Sequence, residues 1–562
     1  MTTKMKKSLV ALAVGATFAA SGAVMATTLT WDSSASSPTA PVDGSGTWNT
    51  TGTNWSTGTT DSSWGTSGGY STTASFGSNN GAAGTVTLGA NITAAGLTFN
   101  PATSGDYTIA GSGSYVLELT GGGAATGASI VANANATISA GTYFYNGVSF
   151  TGSSQLTLSG PIHQINGNFP VNFSGDVTVN INTNLNAGSS SYMSWAAGGS
   201  VVNINNNATF TAPFLFEIGN NTGATTININ SGGVMANTGQ YLFGYAGGNG
   251  TTVNVSAGAQ MQAYQIELGQ TVPGVLNLNG GLINADWIHT NNTVGGTLNL
   301  NGGTLEAFGE AGPNGLYSTW IESTAADPMT VNVLNGGVAF EVPTNYKAVV
   351  SAALLQGTNA DGTSSTGGIT ITGGGTLVLT GNNTFTGPTV IQAGTLALTG
   401  GSAPTSIADS SVLTINASGV FDISATNATP TVLKGLSLNS GTITFGMNGG
   451  QVSNILVNNA ASINGTNTIN VYGVHGATAF TYGTYNLISD TAGGLTGNFV
   501  FGNGTDTANA VLGTNSYLLT LSNSDTAEML TVSAVPEPAT LGLFTVGGLA
   551  LMLIGRKRKT QV

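Results

Sequence analysis

The chain has no cysteine, and only 6% of its 562 residues are charged. Without cysteine there is no disulfide framework, no thiolate zinc site and no cysteine nucleophile. The formal net charge of −13 excludes a basic nucleic-acid-binding protein, because too few cations are present to neutralise phosphates. The hydrophobic content of 40% is nevertheless too high for an ordinary disordered chain. Together with 85 glycines, these contents favour an ordered fold in which ion pairs contribute little.

The nine basic residues are concentrated at the two ends of the chain. Seven of them lie there: Lys4, Lys6, Lys7, Arg556, Lys557, Arg558 and Lys559. Only Lys347 and Lys434 lie between, whereas 21 of the 22 acids occur within residues 27–535. Both terminal clusters flank apolar runs, a pattern typical of export signals rather than of a folded surface.

At the N-terminus, three lysines precede an apolar run over residues 8–20, and small residues follow as far as Ala26. This order is typical of a secretory signal peptide cleaved after Ala26. We expect residues 1–26 to be removed and the mature chain to begin near Thr27, outside the cytoplasm.

At the C-terminus, Pro536, Glu537 and Pro538 precede an apolar run over residues 539–554. As a helix this run would span about 24 Å, slightly less than a hydrocarbon core of about 30 Å. The basic cluster that follows would stay on the cytoplasmic side. It consists of Arg556, Lys557, Arg558 and Lys559.

The order of these three parts within residues 535–559 resembles the PEP-CTERM sorting signal of Gram-negative bacteria. The resemblance implies a short transmembrane helix that holds a precursor transiently in the inner membrane. It also implies a partner, an exosortase-type processing protease that cuts near the motif. Carriers of this signal are released to the cell surface or to an exopolysaccharide matrix, and we expect the same here.

Between the two signals, apolar and polar residues alternate over four to six positions, and no helical period occurs. One series of strands begins at Val179, Val202, Ile227, Val253, Leu276 and Leu298, at intervals of 22 to 26 residues. Such a period predicts a solenoid, here an elongated all-β fold of the parallel β-helix type with three short strands per coil. The aliphatic residues are expected to point inward. The asparagines between them are expected to point outward and to form amide ladders.

Residues 373–400 contain two Gly-Thr-Leu-x-Leu strands joined by an Asn-Thr-Phe-Thr-Gly turn. This segment closely resembles the autotransporter-associated β-strand repeat, in which an aromatic residue occupies the position of Phe385. The resemblance implies a passenger-like β-helix of a surface protein. We expect both strands to contribute inward-pointing side chains to one aliphatic core: Leu377, Leu379, Leu396 and Leu398.

The domain organisation follows from these signals. Residues 1–26 are the signal peptide, 27–84 a Trp/Gly-rich cap, 85–358 β-helix coils, 359–368 a flexible joint, 369–534 further coils, and 535–559 the sorting signal. A solenoid needs a cap over its first coil. The sequence predicts that four tryptophans supply it: Trp31, Trp48, Trp55 and Trp64.

Parallel β-helices also host polysaccharide lyases and glycosidases, so a catalytic site has to be considered. Glycoside hydrolysis usually needs two nearby carboxylates. The best local candidate is Asp286 with Trp287 and His289. Three acids follow one or two coils later: Glu306, Glu310 and Glu322.

Several features weigh against catalysis. Residues 27–535 contain no arginine, and isolated acids on a solenoid flank are usually only solvated. His163 and His475 are isolated as well, and we interpret them as surface or turn residues. The sequence therefore predicts a non-enzyme with no catalytic residue, no metal site and no cofactor.

The function that the sequence favours is an exported, non-enzymatic structural or adhesive protein of the cell surface or extracellular matrix. Its expected partner there is extracellular polysaccharide. A carbohydrate-active β-helix enzyme, either a polysaccharide lyase or a glycosidase, is the alternative. A second alternative is an ice-binding protein or other adhesin, suggested by the Thr-x-Thr pairs at 85–87 and 370–372, although such pairs do not recur at the coil period.

Overall fold

The computed structural model describes residues 27–65, 71–122, 127–164, 171–186, 192–195, 199–212, 215–218, 224–244, 250–291, 293–307, 319–399, 407–426, 429–474 and 476–535. The signal peptide, Ala26, Pro536, Glu537, Pro538, the apolar run 539–554 and the terminal basic cluster lie outside these residues. Every regular element that the structure describes is a β-strand, which confirms the predicted all-β class.

The N-terminal strands are β1 (Thr27–Trp31), β2 (Gly46–Trp48), β3 (Trp55–Ser56), β4 (Asp61–Ser62) and β5 (Thr72–Phe76). The next group is β6 (Thr85–Leu88), β7 (Ile92–Ala94), β8 (Gly96–Phe99), β9 (Tyr107–Ala110), β10 (Val116–Leu119), β11 (Ala128–Ala132), β12 (Ala136–Ile138), β13 (Gly141–Phe144), β14 (Val148–Gly152), β15 (Gln155–Leu158), β16 (Ile162–Gln164) and β17 (Val171–Phe173).

The middle of the chain forms β18 (Thr178–Ile181), β19 (Leu185–Asn186), β20 (Tyr192–Trp195), β21 (Val201–Ile204), β22 (Thr209–Ala212), β23 (Leu215–Ile218), β24 (Thr225–Ile229), β25 (Val234–Asn237), β26 (Gln240–Phe243), β27 (Thr251–Ser256), β28 (Gln260–Leu268), β29 (Gly274–Asn279), β30 (Leu282–His289), β31 (Gly296–Leu300), β32 (Thr304–Ala307), β33 (Met329–Val333), β34 (Val338–Val342), β35 (Lys347–Val350) and β36 (Leu354–Gln356).

The C-terminal part forms β37 (Ile369–Gly373), β38 (Thr376–Leu379), β39 (Thr389–Leu398), β40 (Leu413–Asp422), β41 (Thr431–Leu433), β42 (Leu436–Asn439), β43 (Thr442–Asn448), β44 (Gln451–Val452), β45 (Ile455–Val457), β46 (Ala461–Asn464), β47 (Thr466–Gly473), β48 (Gly483–Asp490), β49 (Asn498–Phe501), β50 (Thr507–Leu512), β51 (Asn515–Asn523) and β52 (Ala527–Ala534).

Successive strands of the coils lie on three different faces. The first face is a 13-stranded sheet with the order β2-β6-β9-β12-β15-β18-β21-β24-β27-β29-β31-β33-β36. Between β6 and β27, each strand of this sheet pairs with the strand three positions later in the chain. The second face begins with β7, β10, β13 and β16, and the third with β5, β8, β11, β14 and β17. From β19 onward the second and third faces belong to one 21-stranded sheet, because strands such as β28 continue around the corner between them. Parallel strands stacked on three faces agree with the predicted β-helix.

The aliphatic positions of the first face stack into two buried columns. Val179, Val202 and Ile227 are in direct register, and their side chains are fully buried. The same column continues through Val253, Leu276, Leu298, Val331 and Leu354. This confirms the predicted inward orientation and identifies burial of apolar surface as the main stabilising contribution.

The asparagines between these positions form the predicted amide ladder. From Asn203 onward, each Nδ2 donates to Oδ1 of the asparagine one coil earlier, at distances between 2.7 and 2.9 Å. The ladder consists of Asn180, Asn203, Asn228, Asn254, Asn277, Asn299 and Asn332. In the described residues a single ion pair occurs, between exposed Lys434 and Asp409 at 3.9 Å. Amide ladders and backbone pairing therefore hold the coils together, without a network of charges.

Toward the N-terminus, the column that contains the asparagine ladder continues with threonines. Thr85, Thr108, Thr137 and Thr157 are neighbours in strand register, and Thr157 accepts a hydrogen bond from Asn180. The sequence concealed this column because the intervening coils differ in length. Thr370, by contrast, lies between Ala339 and Val390, so the second Thr-x-Thr pair belongs to no such column.

Paired glycines make the turns after the strands of the first face. Gly302 and Gly303 both have positive φ, at 91° and 83°. A Cβ at Gly303 would also collide with the carbonyl oxygen of Gly281 in the coil before. Only glycine satisfies both conditions without strain, which explains the Gly-Gly pairs of the repeat.

The four tryptophans pack together before the first coil, where the sequence predicts a cap. Each is at most 1% exposed, and the rings of Trp48, Trp55 and Trp64 lie within 5 Å of one another, between 4.6 and 4.9 Å. Phe76 stacks beneath them on Phe99 at 5.5 Å. The end of the aliphatic core is thus closed by aromatic rings.

Segment 359–368, predicted to be a joint, is a hydrogen-bonded loop between β36 and β37. The Asn359 amide donates to the Thr363 carbonyl at 2.9 Å, and Thr366 N donates to Asn335 Oδ1 at 2.9 Å. The 13-stranded sheet ends immediately before this loop, at β36.

Parallel coils were expected as far as residue 534, but the last strands have a different arrangement. β48, β52, β51 and β50 pair in antiparallel fashion, and β48 also pairs in parallel with β45. These strands extend the sheet that begins with β41 and β45, and β50 and β51 contact β49. We refer to β48, β50, β51 and β52 as the C-terminal cap. A physical reason is that an open final coil would leave an edge of unpaired backbone groups.

Candidate functional site

The candidate catalytic residues lie on β30 and beside it on the third face. His289 is in direct register with Glu267 of β28, one coil earlier. Glu267 is itself in register with Leu242 of β26. All three side chains are buried, so this part of the third face is covered on its outer side as well.

His289 is 4% exposed, and both of its ring nitrogens have hydrogen-bond partners. Gln265 Nε2 donates to His289 Nε2 at 2.6 Å, and His289 Nδ1 donates to the Thr290 carbonyl at 3.0 Å. This pattern places the ring proton on Nδ1. Burial is the main cause that lowers the pKa of His289 to about 4, against the opposing effects of the Thr290 carbonyl and Asp327. The imidazole is therefore neutral at neutral pH.

Glu267 is 2% exposed and has a strongly perturbed carboxyl group. Burial raises its pKa to about 7, although hydrogen bonds from Gln240 and Asn291 oppose the shift. Gln240 Nε2 donates to Oε2 at 3.0 Å, and among the described residues Oε1 has no hydrogen-bond partner. Sequence reasoning missed both Glu267 and Gln265, because only the strand register brings them beside His289.

The remaining predicted residues are divided between two small groups. Trp287 stacks on His289 with ring centroids 3.6 Å apart, and its Nε1 donates to Glu322 Oε2 at 3.1 Å. Glu306 instead accepts a hydrogen bond from Asn284 at 2.7 Å. Glu310 lies outside the described residues.

Asp286 is half-buried, and burial raises its pKa. No hydrogen bond in the described part of the chain joins it to His289 or to Glu322. The structure thus brings together His289, Trp287, Glu322, Gln265 and Glu267, whereas it links Asp286 and Glu306 to none of them by hydrogen bonding.

The other residues singled out by the sequence have ordinary surroundings. His163 is exposed and stacks on Tyr143, with ring centroids 4.7 Å apart. His475 lies outside the described residues. Lys347 is exposed, and Lys434 donates to the Asp409 carbonyl at 2.8 Å. Across the described residues, no group of three or more Asp, Glu or His side chains is placed to hold a metal ion.

The segment that resembles the autotransporter repeat forms β38 and β39 with the turn between them. Leu377 is in register with Leu396, and Leu379 with Leu398, and all four side chains are fully buried. Phe385 in the turn is 1% exposed. The predicted inward orientation is confirmed.

Comparison with protein families gives two matches. Residues 369–398, from the start of β37 to the end of β39, match the passenger-associated-transport-repeat. Residues 534–559 match the PEP-CTERM protein-sorting motif. The chain carries a PEP-CTERM sorting signal. This signal indicates an exported, surface-directed protein that an exosortase-type protease processes.

A search of curated proteins finds no match to the chain. The match to the PEP-CTERM motif begins at Ala534, the last residue of β52. Nearly all of the motif therefore lies beyond the described residues. Among the residues that the structure does describe, no helix is long and apolar enough to cross a bilayer.

Proposed function

We propose that the protein is a non-enzymatic structural or adhesive rod of the cell surface or the exopolysaccharide matrix. The observation that carries the proposal is the position of the PEP-CTERM motif, directly after the strand that completes the C-terminal cap. The last described strand ends at the residue where the sorting motif begins. The 52 described strands form a capped rod with one described ion pair, and such a rod is suited to a structural role.

Delivery would use both ends of the chain. A signal peptide, residues 1–26, directs export, and the apolar run 539–554 holds the precursor in the inner membrane with the basic cluster on the cytoplasmic side. Pro536 and Pro538 keep the segment before the run extended, because proline lacks a backbone donor and disfavours a helical preceding residue. Glu537 gives the processing protease a charged group to recognise.

The test of delivery is the state of the chain outside the cell. Replacing Pro536, Glu537 and Pro538 by three alanines should trap the full-length chain in the membrane fraction, as shown by immunoblotting. Alanines at residues 560–562, beyond the basic cluster, are the matched control and should leave processing unchanged. Mass spectrometry of extracellular wild-type protein should find no peptide from 556–562. An intact tail there would overturn processing and indicate a permanent anchor.

A carbohydrate-active enzyme remains the second candidate, and the observation that favours it is Glu267. A buried carboxyl with a pKa of about 7 has the property required of a general acid. Two observations support a structural role instead. Glu267 and His289 are nearly inaccessible, and both ring nitrogens of His289 are already occupied.

The two roles are separated by a product assay on neutral and acidic polysaccharides. We expect the purified wild-type protein to release neither reducing ends nor unsaturated uronate. The protein would be an enzyme if the wild type released product and either Glu267→Gln or His289→Ala abolished that release. The control variant Glu341→Gln, at a half-exposed position of the same sheet, would then have to retain it. Loss of product release in Asp286→Asn as well would place Asp286 in the catalytic site.

A further inference from the structure

The outward side of the first face is built from three parallel columns of side chains over seven strands, from β18 to β33. The central column is the asparagine ladder from Asn180 to Asn332. One flanking column runs in strand register from Thr178 to Thr330 and is threonine at five of its seven positions. The other flanking column begins at Asn182 and is mainly asparagine, with further amide ladder bonds.

This face carries no charge. None of the 13 strands of the first face contains an acidic, basic or histidine residue, as the structure describes them. Some acids and histidines of the coils lie on strands of the other two faces, such as Glu118, His163 and Glu341. Others lie in loops, such as Asp176 and Asp327, which precede β18 and β33 by two residues. A chain with a net charge of −13 thus presents one long neutral surface. Its side chains are mostly half-exposed, so none of the loops that the structure describes covers it.

The ladder also fixes the hydrogen-bonding groups in advance. An asparagine amide has two N–H donors and two acceptor lone pairs. Each interior asparagine, such as Asn254, uses one donor and one lone pair within the ladder. One donor and one lone pair per coil are left for a ligand. Because the ladder already holds the amide rotamers, little conformational entropy is lost on binding.

The dimensions of this array suit an extended polymer. Successive coils repeat at about 4.8 Å, and alternate side chains along a strand are about 7 Å apart. Donors and acceptors therefore recur every coil, in three rows, over roughly 29 Å. A chain of sugar rings presents hydroxyl groups on a comparable repeat and can pair with such rows along the coil axis.

We infer that the outward side of β18 to β33 binds a neutral, extended polysaccharide along the coil axis. The inference rests on the proposed function and adds the binding surface and the charge class of the glycan. A neutral face provides no cation for a uronate or sulfate, and the surrounding acids repel such polymers. Neutral sugar hydroxyls need only the donors and acceptors that the three columns supply.

The test compares binding of the mature exported protein to insoluble neutral glucan, chitin and alginate beads. The variant Thr252→Glu/Thr297→Glu places carboxylates in a flanking column without altering the ladder. A matched control, Thr376→Glu/Thr414→Glu, changes half-exposed threonines elsewhere on the solenoid. We expect the wild-type protein and the control to bind a neutral polymer, and the first variant to bind roughly tenfold more weakly or worse, because sugar contact desolvates the carboxylates.

Three results would overturn the inference: binding to alginate alone, equal loss of binding in the variant and the control, or no binding to any neutral polymer. The same face would be assigned to ice binding if the wild-type protein bound no sugar but inhibited ice recrystallisation, and if Thr252→Glu/Thr297→Glu abolished that inhibition. Tail processing, measured by mass spectrometry, is independent of all these outcomes. A correctly exported and processed protein that binds no glycan would refute this inference and leave the proposed delivery intact.

Discussion

Asn254 Nδ2 donates a hydrogen bond of 2.8 Å to Asn228 Oδ1 in the preceding coil, and Asn254 Oδ1 accepts one of 2.7 Å from Asn277. The middle amide thus connects three coils. Replacing Asn254 by alanine removes both bonds, and we expect a loss of about 1 kcal/mol in the free energy of unfolding, because water can reach the half-exposed partners. Chemical denaturation measures this loss.

Replacing Asn254 by aspartate gives a pH-dependent version of the same experiment. The ionised carboxylate cannot donate to Asn228 and faces its Oδ1, whereas the protonated acid can donate there and still accept from Asn277. We expect the melting temperature of Asn254→Asp to lie below that of wild type at pH 7 and to approach it at pH 3. A difference that does not change with pH would show that the ladder bonds contribute no stability.

Leu379→Asp tests the register of the passenger-associated-transport-repeat. Leu379 is fully buried, so aspartate would place an unpaired charge in the core, at a cost on the order of several kcal/mol. The control Thr376→Asp, on the half-exposed side of the same strand, should cost far less. Similar melting temperatures for the two variants, as measured by circular dichroism, would contradict the register.

Glu528 makes the C-terminal cap sensitive to pH. Its side chain is fully buried, and among the described residues neither carboxyl oxygen has a hydrogen-bond partner. Burial raises its pKa from 4.5 to about 8. The folded state therefore holds a proton that the unfolded state loses above pH 4.5, and this group lowers stability progressively as pH rises from about 4.5 to about 8.

The corresponding variant is Glu528→Met, which has similar size and no charge. We expect it to raise the melting temperature more at pH 8 than at pH 5. An equal effect at both pH values would show that Glu528 does not titrate in the folded protein.

His289 has the opposite dependence on pH. Its folded-state pKa of about 4 lies below the ordinary value of 6.5, so the unfolded state binds a proton that the folded state does not. This group therefore costs stability as pH falls from about 6.5 to about 4. His289→Gln should melt at a temperature less sensitive to this pH range than wild type, as differential scanning calorimetry would show. Unchanged sensitivity would mean that the imidazole is accessible.

The repeats on the first face could be predicted because their chemistry is periodic. An aliphatic residue, an asparagine and another aliphatic residue recur every 22 to 26 residues, and this period alone determines burial of Val202 and the ladder position of Asn203. The tryptophan cap was predictable for a similar reason. Large rings concentrated before the first coil have few other places to be buried.

The polar cluster around His289 could not be predicted in the same way. Gln265 and Glu267 precede His289 by more than twenty residues, and only the strand register brings them to it. The burial of Glu267 also depends on neighbouring segments, such as the one that carries Asn291, and strand patterning does not encode their positions. The antiparallel C-terminal cap escaped prediction because alternation is the same in parallel and antiparallel strands.

The stacking of the coils also determines how the molecule responds to tension. Interstrand hydrogen bonds and amide ladders lie along the coil axis, so a pull between the two ends opens them one coil at a time. Each coil contacts mainly its neighbours, and the next coil resists only after the previous one has detached. A released coil of about 23 residues adds roughly 75 Å of extended chain. Anchored in a matrix at both ends, such a rod would lengthen in steps and dissipate mechanical work before it broke.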